Sequence, residues 1–327
     1  MITAIRTLIP QLCKVYSSFP TFTEHRGKIF VFYRQALKNS ERCHGFDGMV
    51  KCFEIETKVL LDAIRAPDCG DLHSYGQERL AFGSGNEFDA IVSKLDKNLY
   101  SLATRSYLGK GTMKTYLSFS NEPFFKERTE IDVPGLEWLV FYGKAFRWEE
   151  SFVFPAYGLP EGHHRTRPFL ILTRDLSRFE VLSWLVTDTS LPPLNETSII
   201  YDGERYQAFI RGGTVADGIW SSYSTDLVNW ATPEEEIPNA HAPMAIHRNG
   251  VNYLSYRDLS QSENTSISLK TLPDNIGEIV DTYEGNPYDG GYSDIRFVDD
   301  KLFIVYYSGN TQGEPSIKLG ISVNTRS

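Results

Sequence analysis

The chain has 327 residues, of which 41% are hydrophobic and 23% charged, and its formal net charge is −9. The balance is ordinary for a soluble globular protein. It argues against a nucleic-acid partner, whose binding domains are usually basic. No run approaches the ~18 apolar residues of a membrane span. Aromatics are abundant, with 18 Tyr and 20 Phe, which favours strands over helices.

The N-terminal stretch MITAIRTLIPQLCK is broken by Arg6 and Pro10 and makes a poor signal peptide, so cytoplasmic residence is the expectation. Cys13, Cys43, Cys52 and Cys69 form no CxxC pair and fit no zinc template, which predicts reduced, partly buried thiols and no metal. One pattern then recurs along the chain: a polar turn followed by alternating aromatic and aliphatic residues, often ending in arginine. It reads HRGKIFVFYR (25–34), LDKNLYSLATR (95–105), YDGERYQAFIR (201–211) and HRNGVNYLSYR (247–257), with VDDKLFIVYYS (298–308) ending in serine. PGLEWLVFYG (134–143) is a weaker sixth copy. Gly, Asp and Asn in the turns suit hairpins, and the period of two suits half-buried strands. The nearest helical pattern, VKCFEIETKVLLDAIRA (50–66), opens with β-branched and aromatic residues and reads as strand.

Hairpin units repeated at this spacing predict an all-β fold, a six-bladed β-propeller spanning 1–327 as one domain, with a five-bladed propeller as the alternative. Equivalent strands of successive blades end around one axis. Arg34, Arg105, Arg211 and Arg257 are then expected to gather there, although any one of them is equally an ordinary surface residue. Clustered guanidiniums repel unless an anion bridges them, and their planar forks suit a carboxylate. HHRTR (163–167) is a second positive concentration, read as an exposed loop. Tyr292 follows Gly290 and Gly291 at the mouth of a strand, where a mobile backbone would let a phenol face a cleft.

The order of these motifs resembles the sialidase superfamily of glycoside hydrolases, over roughly 19–320. GGYSDI resembles the segment of the nucleophilic tyrosine, implying that role for Tyr292. LNETSIIYDG (194–203) resembles the segment of its glutamate partner, implying Glu196. FIRGG and SYRD resemble strands that supply carboxylate-binding arginines, implying Arg211 and Arg257. FVFPAYG (152–158) implies Tyr157 in the sugar pocket. SYSTDLVNW (222–230) is similar to the Asp-box hairpin, and LTRDLSRFE (172–180) is a more degenerate trace. By the same resemblance an aspartate after the first blade's inner strand serves as acid/base, for which Asp47 is the candidate, with His44 an alternative or a substrate contact. The family's first carboxylate-binding arginine is missing: SSFPTF (17–22) carries Ser18 in its place, and Arg34 or Arg105 stand in.

The resemblance implies a retaining exo-glycosidase acting on a terminal acidic sugar, a sialic acid or a related nonulosonate such as KDN or Kdo, without a cofactor. A carboxylate nucleophile would be repelled by such a sugar's own carboxylate, whereas a neutral phenol activated by a neighbouring carboxylate is not. Two alternatives stand beside it: a furanosidase-like five-bladed hydrolase with a carboxylate nucleophile, and a non-catalytic glycan-binding protein.

Overall fold

Continuous burial along central strands, as over Tyr16–Thr23, Pro168–Thr173 and Leu302–Ser308, gives the sheets two packed faces, and there are 25 strands among the described residues. The computed structural model describes residues 2–39, 42–66, 71–83, 85–109, 112–213, 217–261, 264–272 and 274–322. After β1 (Ala4–Ile9), the first blade is β2 (Val15–His25), β3 (Lys28–Asn39), β4 (Arg42–Glu56) and β5 (Gln77–Phe82). The second is β6 (Asn86–Asp96), β7 (Leu99–Tyr107), β8 (Met113–Ser120) and β9 (Thr129–Glu130). The third is β10 (Leu136–Phe141), β11 (Phe146–Trp148), β12 (Ser151–Pro160), β13 (Arg167–Thr173) and β14 (Glu180–Trp184), with β10 and β11 both pairing with β12. The fourth is β15 (Leu194–Tyr201), β16 (Tyr206–Gly212), β17 (Gly218–Ser224) and β18 (Glu234–Pro238). The fifth is β19 (Ala240–Arg248), β20 (Val251–Asp258), β21 (Thr265–Leu272) and β22 (Ile276–Tyr283).

The sixth blade closes the ring. It takes β23 (Ser293–Val298), β24 (Lys301–Ser308) and β25 (Ser316–Ile321), and its outermost strand is β1 from the other end of the chain, with Ala4 opposite Ile321. The fold is therefore a six-bladed β-propeller, not a five-bladed one. Its core lies between blades. Val153, Leu170 and Leu172 of the third pack on Leu194, Ala208 and Ile210 of the fourth, and Met244 and Ile267 of the fifth on Ile295 and Ile304 of the sixth. Each such side chain contributes roughly 1.5–3 kcal/mol by leaving water.

Five of the turn–strand copies are the second strands of their blades, β3, β7, β16, β20 and β24. The sixth is a correction. PGLEWLVFYG forms β10, a first strand, and the second strand of that blade is β12, whose turn at Glu149–Glu150 lacks Gly, Asn and Asp. The 50–66 segment is a second correction. It is strand only through Glu56, then the helix α1 (Thr57–Arg65), which buries Leu60, Ala63 and Ile64 at helical spacing. Cys52 is a free, buried thiol and Cys13 a free, exposed one; Cys69 and the side chain of Cys43 lie outside the described residues. No described helix is long and apolar enough to cross a membrane.

Candidate active site

Four inner strands break register at the same end of the propeller. Ser18–Thr21 faces Arg34–Phe32, Glu87–Ala90 faces Ser106–Thr104, Leu194–Thr197 faces Gly212–Ile210, and His241–Met244 faces Arg257–Ser255. In each, three steps on the inner strand oppose two on its neighbour. These are β-bulges, which bend a strand and re-aim its side chains. The extra residues are Phe19-Pro20, Phe88-Asp89, Asn195-Glu196 and Ala242-Pro243. Phe19 (φ 51°) and Ala242 (φ 54°) take left-handed backbone there, strain typical of binding sites.

The bulges border a cavity of about 120 Å³ that is open to solvent. Its lining includes Phe19, His44, Phe88, Asp89, Arg105, Tyr142, Tyr157, Glu196, Tyr292 and Asp294. Among the described residues no group of three or more His, Cys, Asp or Glu side chains is placed to hold a metal ion.

Tyr292 is one of the cavity's lining side chains. The phenol donates to Glu196 Oε1 at 2.6 Å and accepts from Arg211 Nη1 at 2.9 Å, and the same Nη1 lies 3.0 and 3.1 Å from the two Glu196 oxygens. Burial and the Glu196 charge push the phenol well above its ordinary pKa, while Arg211 and Arg257 pull it back. Its ring is fixed by edge contacts to Phe19 (5.1 Å) and Tyr142 (6.2 Å), and the Arg257 guanidinium lies 4.9 Å from its centroid. The approach depends on Gly291. Its φ is 87°, and a Cβ there would lie 2.8 Å from the Arg257 side chain.

The arginines gather around the cavity: Arg211 and Arg257 lie on Tyr292, Arg105 lines the wall, and Arg34 holds the carbonyl of His44, which lines it too. Burial first and the charges of these arginines next hold the His44 pKa down to about 3. Each of them holds at least one internal acceptor. Arg34 is fully buried, donates to the carbonyls of Glu87 (2.5 Å) and His44 and to Asn86, and is pulled down to about 10 by burial. Arg257 is buried and donates through Nε and Nη2 to Gly290 O. Arg211 faces Glu196 and Tyr292, with its Nε unpartnered. Arg105 is the arginine in the cavity wall, and it is paired with Asp89 at 2.7 Å.

Other expected positions fall as follows. Asp47 sits in the bulge between the Phe46 and Met49 pairings, with φ 50° and an exposed side chain outside the cavity lining. Ser18 is fully buried opposite Arg34, with an unpartnered hydroxyl. Beside it Phe19 packs against Tyr292. His163, His164 and Arg165 of the HHRTR segment are exposed. The two hairpin traces make the same turn. Asp226 accepts the N–H groups of Val228 and Asn229, Asp175 those of Ser177 and Arg178, and the following leucines have φ of 60° and 61°.

Asp89 was not legible as a site residue, yet a signal exists. It occupies the bulge position equivalent to Glu196 and precedes Arg105 at nearly the interval by which Glu196 precedes Arg211. At the cavity floor the buried Asp294 accepts through Oδ2 from Thr21 Oγ1 (3.0 Å), Phe22 N–H (2.7 Å) and Lys144, and its Oδ1 has no partner. Behind the wall His241 Nε2 lies 3.0 Å from Asp217 Oδ1. Its pKa is held down to about 4 by burial and by Arg211 and Arg257.

No family model and no curated protein matches the sequence. Solved structures do match. A Dyadobacter fermentans DSM 18053 protein of unknown function superposes with TM-score 0.79 at 14% identity, covering 98% of each chain. Trypanosoma rangeli sialidase in complex with sialic acid superposes with TM-score 0.66 at 12% identity over 98% of this chain. The fold is the six-bladed β-propeller of the sialidases. This propeller spans 57% of that sialidase chain. It also superposes on Penicillium chrysogenum alpha-L-arabinanase complexed with arabinobiose, with TM-score 0.65 at 10% identity over 98% of each chain.

Proposed function

We propose that this propeller is a retaining glycoside hydrolase of sialidase type that removes a terminal α-linked acidic sugar, a sialic acid or related nonulosonate. The observation that carries the reading is the 2.6 Å hydrogen bond from the cavity-lining Tyr292 phenol to Glu196. A phenol whose pKa stays high is a weak nucleophile unless its proton leaves as the new bond forms. The Tyr292 oxygen attacks the anomeric carbon while its proton passes to Glu196 Oε1. The glycosidic C–O bond breaks with its electron pair on the leaving oxygen, which takes a proton from a second acid. Water then attacks the anomeric carbon and gives a proton to the carboxylate left by that second acid, the C–O bond to the tyrosine breaks, and Glu196 returns its proton to the phenol oxygen. Arg211 holds the Glu196 carboxylate and offers a second donor to the phenolate that departs.

Asp89 and Asp47 divide the remaining work in this reading. Asp89, ion-paired in the wall, accepts bonds from sugar hydroxyls, and Arg105 beside it attracts the sugar's carboxylate. Asp47 protonates the leaving oxygen from the solvent side, which requires its segment to move inward by way of Gly45 and Gly48. Carbohydrate is the partner class, and the neighbours' complexes with sialic acid and arabinobiose agree with that class.

The test is a panel of fluorogenic nonulosonate and furanoside glycosides, followed by trapping with a 3-fluoro nonulosonyl fluoride and peptide mass spectrometry. Turnover of a nonulosonate with the adduct on Tyr292 is expected. Turnover of a furanoside with the label on a carboxylate, or sugar binding without turnover, would overturn the reading in favour of one alternative or the other.

A further inference from the structure

His44 enters the cavity wall on unusual backbone. His44 and Gly45 both have left-handed φ, 70° and 68°, and the His44 carbonyl accepts from the buried Arg34 guanidinium. The ring stands edge-on to Phe19 at 5.1 Å and to Tyr16 at 5.6 Å. Its Nδ1 lies 2.8 Å from Tyr16 Oη, and Tyr16 Oη lies 3.1 Å from Asp289 Oδ1. Tyr16 is 3% exposed, so it has little access to solvent as an alternative partner.

Proton counting orders this chain. A phenol has one proton, and an ionised carboxylate only accepts. Tyr307 also lies within hydrogen-bond reach of Tyr16, but an ionised carboxylate is the stronger acceptor, so the Tyr16 proton goes to Asp289 and the Tyr16 oxygen is left to accept from His44. That requires a hydrogen on Nδ1. A neutral imidazole carries a single N–H, so Nε2 holds a lone pair, and among the described residues nothing bonds to it. Burial and the surrounding Arg34, Arg257, Arg105 and Arg211 oppose a second proton.

We infer that Tyr16 and Asp289 lock His44 in its Nδ1–H neutral tautomer, presenting Nε2 to the cavity as an acceptor for a hydroxyl or amide N–H of the ligand. This deepens the function proposed above, on which the ligand's identity rests. It also orients the sugar. A lone pair cannot bond a carboxylate, so the acidic end points away from His44, towards Arg105, and a donor group faces His44. Tyr16 and Asp289 are positioning residues that act through the ring.

The tautomer can be read without any substrate. In ¹⁵N-histidine-labelled protein at pH 7, long-range ¹H–¹⁵N correlation should show His44, assigned by its loss in His44→Gln, with a protonated Nδ1 and an unprotonated Nε2. Tyr16→Phe should leave a tautomer mixture. Asp289→Asn, whose amide can donate to Tyr16 and free its proton for His44, should move the ring towards Nε2–H, while Tyr292→Phe leaves it unchanged. Free sialic acid should shift His44 Nε2, and Tyr16→Phe should weaken its binding roughly 5- to 10-fold, the scale of one hydrogen bond. On a turned-over nonulosonate glycoside the same variant should raise KM by that factor with kcat changed less than about 3-fold. An Nε2–H or doubly protonated His44 in the native protein overturns the tautomer assignment whatever the enzyme hydrolyses. The expected tautomer with no sialic acid response overturns the ligand contact alone.

Discussion

Replacing Tyr292 by phenylalanine separates chemistry from architecture. The substitution removes one oxygen and keeps the ring, so the contacts to Phe19, Tyr142 and Tyr307 and the Arg257 cation–π contact remain. The lost bonds are the one to Glu196 at 2.6 Å and the one from Arg211 at 2.9 Å. Their former partners still hold each other at 3.0 Å, so no buried charge is stranded. A typical hydrogen bond contributes about 1 kcal/mol net, somewhat more to a charged group. Stability should therefore fall by no more than about 2 kcal/mol, read as the urea midpoint shift at unchanged m-value. Activity should fall far more. Losing the nucleophile leaves Glu196 with no proton to take, and a 10³–10⁴-fold drop in kcat corresponds to about 4–5.5 kcal/mol of barrier. Because the two residues act as a unit, Tyr292→Phe/Glu196→Gln should be little worse than either single change. The reasoning is refuted if Tyr292→Phe keeps more than a tenth of wild-type kcat, or if the activity loss is matched by a stability loss above 4 kcal/mol.

Other outcomes follow from the same geometry. Arg211→Met leaves Glu196 as a buried carboxylate without its guanidinium, and should cost about 3–5 kcal/mol in urea unfolding. Lys144→Met strands Asp294 in the same way and should cost a similar amount, whereas Lys144→Met/Asp294→Leu should recover most of it in the same assay. Gly291→Ala places a methyl at φ 87° against Arg257 and should destabilise by about 1–3 kcal/mol while lowering kcat, read by thermal melting beside turnover. Acid sensitivity has a defined sign. His241 binds its proton less readily folded, at about 4, than unfolded, near 6.5, so stability falls as pH drops through that window. Between pH 7 and 5 this amounts to about 2 kcal/mol, and His241→Gln should flatten the wild-type slope of unfolding free energy by that amount.

The hairpin repeat was legible because a polar turn followed by alternating apolar residues has one economical solution, and five of its six copies are second strands of blades. PGLEWLVFYG misled because first and second strands share the same alternation, and only their pairing partners distinguish them. The 50–66 segment misled because its strand half opens it, and the helical period begins only at Thr57. At the site, Tyr292 was visible through its glycines, while Asp89 hid as one more acid at a strand start. Asp47 drew attention only through the resemblance, as an aspartate after the first blade's inner strand, and its bulge leaves the side chain exposed. The arginines were legible as a set, but not their partners Glu196, Asp89, Gly290 O and Glu87 O, which come from other segments.

The sequence by itself determined the period of strands and turns, and with it a ring of similar blades whose second strands carry arginine at the same end. Those are local properties, set by side-chain alternation and turn chemistry within about ten residues. Only the tertiary structure decided which atoms meet. The Tyr292–Glu196 bond spans 96 residues, the Tyr16–Asp289 bond 273, and the last blade is completed by the first strand of the chain. Each depends on ring closure and on one-residue register slips in the inner strands, which are fixed by packing between blades and leave no periodic trace in the chain.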